Sequence, residues 1–347
     1  MPCPMLLLSF SLCFQQGAHL FMRYFLGQFS LRSREGLLIS ATPLRQAGAS
    51  PASLAAAQEL LDSSGRRIDS FPIRKSFVRA ASSVSPDPPL ALLVKTRTPV
   101  PIKLFLGLVW RSASPPFDSE KTLRGWATLL DLPRPDTSGV SRVRAARQML
   151  EEQNLIRVSS RGGNEPPAIR LLDESGSGEE YELPSTKFFQ TDRYSETPRI
   201  ENPHLYLKFP TELWVQGLVQ QMSLGALAML LVLLAEQADQ KGVWFSTESF
   251  PQRYRISAPT RARGTKELIE MGLLRTARKP LAPMGGSEIF DRRLSRKIYR
   301  LIGPAAALGT PLAGWELIDM ISPAEDPADV DSDTSTQPET DVPSPEG

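Results

Sequence analysis

The side chains best spaced for chemistry in this chain of 347 residues are cations. Thr260, Arg261, Arg263 and Lys266 fall within two helical turns of the stretch RYRISAPTRARGTKELIEMGLLRTARK, Arg253 to Lys279. A guanidinium is a planar fork of donors that fits two acceptors at once, such as phosphate oxygens or the acceptor edge of guanine, and a helix N-terminus adds favourable electrostatics for an anion. More cations follow in two runs: Arg275, Arg278 and Lys279, then Arg292, Arg293, Arg296, Lys297 and Arg300. Such a series suits a phosphate backbone, where each contact adds affinity without choosing sequence and makes binding more sensitive to salt.

Other chemistries lack their groups. The two histidines are His19, in an apolar leader, and His204, in a polar connection, so no base is at hand for a serine triad. GTKE at Gly264 has the wrong order for a phosphate loop and sits inside a helical pattern. Cys3 and Cys13 are the only cysteines, which excludes a disulfide framework and a cysteine zinc site and suits a reducing compartment. A non-enzymatic protein without metal or cofactor is therefore expected, in the cytoplasm. The net charge of +2 hides a segregation: residues 251–300 carry 13 Lys or Arg against 4 Asp or Glu, and residues 301–347 carry 10 acids and no base. That acidic tail has the composition of a disordered segment, suited to solubility or to competing with a polyanion for the basic block.

Elements must position these cations. The leader fits neither a signal peptide, since its first base is Arg23, nor a spanning helix, since Gln15, Gln16, His19 and Arg23 interrupt it; no membrane partner is expected. Residues 28–95 are rich in Ser, Pro, Ala and Arg, and weak order is expected there, with one short helix at PASLAAAQELLDSSG capped by Ser53 and a basic run, RRIDSFPIRKSFVRA, read as a solvated linker. Ile102, Phe105, Leu106 and Val109 then recur at helical spacing. A second helix carries Leu123, Trp126, Leu129 and Leu130 behind Ser119 as its cap. A third, with Val143, Ala146 and Leu150 on its inner side and Arg142, Arg144 and Gln148 largely outside, stops at Asn154 in a left-handed cap. Two short strands follow, carrying Arg157, Arg161 and Arg170.

Beyond a polar linker, Ser223 caps a helix that is apolar all round but too short to span a membrane. VWFS reads as a strand, Ser246 caps a small helix, and Ser257, Pro259 and Gly272 punctuate the helix that bears the cations. On that helix Ala262, Thr265, Leu268 and Ile269 are expected inside, leaving Thr260, Arg263, Lys266 and Glu267 to a partner. A basic hairpin with a long tip ends the pattern. WATLLDL aligns with FPQRYRI, and RVRAARQMLEEQNLIRV with TRARGTKELIEMGLLRT, so one device occurs twice, with a longer turn in the first copy.

The residues Ser257, Thr260, Arg261, Arg263, Leu268, Gly272, Leu273 and Leu274 resemble the recognition helix and exit of a bacterial winged helix-turn-helix domain, and the two copies resemble the tandem winged helices of transcription regulators and plasmid replication initiators. Arg261 and Arg147 depart from the pattern, because aliphatic residues often stand at their positions. The resemblance implies a mainly α fold with small β-hairpins: a poorly ordered extension at 1–95, winged helices at 96–175 and 203–303, a linker at 176–202 and a disordered acidic tail at 304–347. It also implies binding of double-stranded DNA in transcription regulation or replication initiation, with a homodimer or a tandem footprint both open. The DNA contacts would be Thr260, Arg261, Arg263, Lys266, Arg278, Lys279, Arg292, Arg293, Arg296 and Lys297, joined by Arg142 and Arg144 from the first copy. The alternative is a winged-helix scaffold that binds protein and whose charges only solvate it.

Overall fold

Proline and hydroxyl side chains set the helix starts of this chain. The computed structural model describes residues 48–65, 67, 69–159, 167–194, 202–236, 242–280 and 295–306. In chain order these form α1 (Pro51–Ser63), β1 (Ser70–Arg74), α2 (Pro89–Lys95), α3 (Val100–Arg111), β2 (Asp118–Ser119), α4 (Leu123–Leu129), α5 (Ser138–Glu152), β3 (Ile156–Ser159), β4 (Ala168–Leu171) and α6 (Pro184–Tyr194). Then come β5 (Tyr206–Pro210), α7 (Glu212–Val215), α8 (Leu218–Gln221), α9 (Leu224–Glu236), β6 (Val243–Trp244), α10 (Ser249–Tyr254), α11 (Ala258–Glu270), β7 (Leu274–Pro280) and β8 (Ser295–Leu301). Helices and small antiparallel sheets make this a mixed α and β fold. The leader and the acidic tail from residue 307 on lie outside the described residues, whereas residues 304–306, expected in the disordered tail, are described and Ala305 is buried.

One order of elements occurs twice. Helix, short strand, helix, helix, strand, strand describes α3–β2–α4–α5–β3–β4 and again α9–β6–α10–α11–β7–β8. Each set closes a three-stranded sheet with its last strand in the middle, β2-β4-β3 and β6-β8-β7. The match extends to single backbone angles. Asp131 and Arg255, at aligned places after the second helix of each set, both adopt φ 53°. Asn154 (φ 55°) and Gly272 (φ 68°) both stop the third helix, as the sequence leads one to expect. We call these sets the first and second repeats.

Residues 48–95, expected to be weakly ordered, instead build part of the core. Phe71, Ile73, Phe77 and Val78 are buried, because β1 pairs antiparallel with β5 from Ser70↔Pro210 to Arg74↔Tyr206. A pairing across so long a stretch of chain leaves no local period to read. The same apolar core runs on through α3, α4 and α5 into α9 and the sheet of the second repeat. Nor is the linker bare, since it holds α6. Helix α9 is buried on all sides from Ala226 to Ala235, which is the reason for its unbroken apolar sequence.

Two caps differ from expectation. Ser50, not Ser53, caps α1, while the buried Ser53 hydroxyl donates to the Leu129 carbonyl at 2.8 Å. Thr122, not Ser119, caps α4, because Ser119 is taken into β2. Lys103 of α3 is another polar link within the core, its Nζ donating to the Gln220 carbonyl of α8 at 2.8 Å. Burial pulls its ammonium down to about 8.

Candidate nucleic-acid interface

Helix α11 begins with the Ser257 hydroxyl accepting from the Thr260 N–H, with proline in its first turn, and stops at Gly272. Its inner face is set by glycine. A Cβ on Gly264 would sit 2.1 Å from the Gly225 carbonyl oxygen, so α11 and α9 cross with their backbones nearly touching. The crossing fixes the register of α11: Gly264, Thr265 and Leu268 are buried. Ala262 and Ile269, expected inside, are exposed, Ile269 by 43%. Glu267, expected to be free, accepts from the Ser223 N–H at 2.7 Å and from the Ser223 hydroxyl, and so completes the start of α9. Arg263 and Lys266 remain outward and exposed, with Glu270 3.9 Å from the Lys266 ammonium along the same helix.

Arg261 does not join them. Its guanidinium lies 4.3 Å from the centre of the Phe250 ring, 5.4 Å from Phe245 and 5.7 Å from Tyr299, and donates to the Tyr299 hydroxyl at 3.1 Å. The aligned residue of the first repeat is Val143, which is fully buried. Arg261 thus occupies an inward position of the helix, and its charge is accommodated by ring faces rather than presented to a partner. Arg253 and Arg255, also in the basic stretch, pair with Glu236 and Asp87.

The hairpin cations are divided by strand alternation, since directly opposed residues of an antiparallel pair share a face and successive residues do not. Leu274↔Leu301, Thr276↔Tyr299 and Arg278↔Lys297 lie on the face toward α11, with Leu274, Leu301 and Tyr299 buried. Arg275↔Arg300, Ala277↔Ile298 and Arg296 lie on the other, and Lys279 is the register partner of Arg296. Arg300 is itself buried. Arg296 is exposed and stacks on Trp244, its guanidinium carbon 4.2 Å from the ring centre. The basic hairpin is therefore two surfaces rather than one. Arg292 and Arg293 lie outside the described residues, as does Arg161 of the first repeat.

In the first repeat Arg142 and Arg144 are exposed on α5 and Arg147 is half-buried. Arg157 is held by Glu180 at 2.6 Å, and Arg170 faces Arg157 and Asp118 in the sheet register. The outward cations of α5 thus resemble those of α11, while the hairpin beside it is partly neutralised.

Comparison with protein-family models, curated proteins and solved structures returned no match. The case for the site rests on its own geometry.

Sequence reasoning missed two groupings. Arg74, in the run read as a solvated linker, is buried and holds Glu174, approaches Asp173 at 3.3 Å, donates to the Glu182 carbonyl at 2.8 Å and lies 3.4 Å from His204 Nδ1. Burial lifts the Glu174 carboxyl to about 7, and burial together with Arg74 lowers His204. This network fastens β1 to the loop after β4, and it is a structural joint rather than a surface. The second grouping is the set of rings Phe245, Phe250 and Tyr299 around Arg261, with Tyr254 packed against the first two. Its signal was present: alignment of the two copies sets Arg261 against Val143, a residue read as inward. Among the described residues no cluster of His, Cys, Asp or Glu suits a metal, and no helix is long and apolar enough to cross a membrane.

Proposed function

We propose that each repeat is a winged helix and that the protein binds duplex DNA through the second, with α11 in the major groove and the α11-facing side of the β7–β8 hairpin along a phosphate strand. The observation that carries this reading is the repeated order of elements with its first–third–second sheet, joined to an outward α11 face that offers Arg263 and Lys266 beyond a half-buried Thr260 whose hydroxyl is 2.9 Å from that of Ser257. A helix of this length beside a hairpin is the geometry by which such elements enter a groove. Arg278 and Lys297 share the sheet face toward that helix and suit backbone contact. Arg261 has a supporting part, holding the start of α11 to β8 and α10. Control of transcription or of replication initiation would follow from such binding.

The test is equilibrium binding of the full chain to a pool of random duplexes, followed by sequencing of the bound fraction at two salt concentrations. Binding that weakens steeply with salt supports the reading. No retained duplex at either salt, with the protein folded, refutes it and favours the protein scaffold.

A further inference from the structure

The outer face of the second repeat's sheet carries a tryptophan that the fold does not bury. Trp110, Trp126 and Trp214 are completely enclosed, whereas Trp244 is 50% exposed. Alternation explains the exposure: Val243 pairs with Tyr299 and turns inward, and Trp244 pairs with Ile298 and turns out. Arg296 lies on the same face, is exposed, and sits over the indole with its guanidinium carbon 4.2 Å from the ring centre. Arg275 is exposed on this face as well. The face is turned away from α11, so a duplex seated on α11 does not reach it.

We propose that Trp244 and Arg296 form a stacking site for an unpaired base of single-stranded DNA. An exposed indole with a planar cation on it presents a flat π surface at which a base can stack, and the neighbouring positive charge attracts the phosphate beside that base. Charge selects the occupant: a polyanion with exposed rings complements both groups, whereas an apolar peptide would leave the guanidinium without a counter-charge. A double helix, with its bases already stacked, offers neither an open ring face nor the reach. The inference stands apart from the duplex-binding proposal, because it uses the opposite side of the sheet.

Fluorescence anisotropy with a labelled oligo-dT and, separately, a labelled duplex tests it, using the full chain with Trp244→Ala and Trp244→Phe. Trp244→Ala is expected to weaken oligo-dT binding about 5- to 100-fold, the cost of one lost base–aromatic stack, with duplex binding and circular dichroism unchanged. Trp244→Phe, which keeps a ring, is expected to recover most of the affinity. The proposal is overturned if wild type fails to bind oligo-dT, if Trp244→Ala binds it as wild type does, or if a matching oligo-U or a protein ligand depends on Trp244 and oligo-dT does not. Failure of duplex binding alone leaves this result readable, since the two ligands are measured separately.

Discussion

The two repeats share an order of elements and differ in what they place on the inner side of the third helix. In the first, Val143, Ala146 and Leu150 fill that side. In the second the aligned residues are Arg261, Gly264 and Leu268. The substitutions are coupled to their surroundings: glycine lets α11 press against Gly225 of α9, and a cluster of rings receives the arginine. In the first repeat a glycine serves a different contact, for a Cβ on Gly107 of α3 would stand 2.8 Å from the ring of Trp126 on α4. The same order of elements thus carries two different fillings of the third helix's inner side. An arginine in the basic stretch need not face outward.

The largest effect that would sharpen this contrast is expected at the crossing itself. Gly264→Ala forces a methyl into the Gly225 carbonyl and should cost about 3 kcal/mol, at the upper end for overpacking, measured by urea denaturation. Ala146→Gly in the first repeat, where nothing is forced apart, should cost only about 1 kcal/mol.

Next comes the buried ammonium of Lys103. Its folded pKa, about 8, lies below the ordinary 10.5. The unfolded chain therefore holds the proton more tightly between those values, and stability must rise with pH across that window; below pH 8 the penalty is present in full. Between pH 7 and 10 the stability of wild type relative to Lys103→Met should rise by roughly 2 kcal/mol. A flat difference would mean the ammonium is better solvated than its position implies.

Arg261→Val transplants the first repeat's residue. Loss of the ring contacts and of the Tyr299 hydrogen bond should cost about 1 kcal/mol, partly offset by apolar burial. The slope of duplex affinity against salt should not change, whereas removal of a phosphate contact would reduce it by about 1. Smallest of all is Gly272→Asn, which exchanges the two helix stops. Nothing lies within 4 Å of a Cβ there, and asparagine tolerates the left-handed region, so a loss below about 0.5 kcal/mol is expected in the same denaturation assay.

Local grammar made much of the third helices and their exits legible. Ser257, Pro259, Gly272 and Asn154 act at the backbone beside them, and their roles follow from residue type. The apolar all-round pattern of α9 likewise identified a buried helix. What escaped was set by distant partners. The β1–β5 ribbon joins Phe71 to Phe209, and only that pairing turns Ser70–Arg74 from a basic linker into a core strand. The direction of each cation was similarly hidden. Arg261 and Arg263 sit two residues apart, and which of them faces outward depends on the Gly264–Gly225 crossing. Arg278 and Arg296 part company because β7 and β8 pair in one register rather than its neighbour, a choice that flips every side chain.

The central claim, that the outward face of α11 is the groove-reading surface and α5 is not its equal, is tested most directly by pairing two double variants. Duplex affinity is measured over a range of salt for Arg263→Ala with Lys266→Ala, and for Arg142→Ala with Arg144→Ala. The first pair should weaken binding at least about tenfold and reduce the salt slope by about 2, while the second shifts the slope by less than about 1. An unchanged slope for the first pair, or an equal loss in both, would contradict the account.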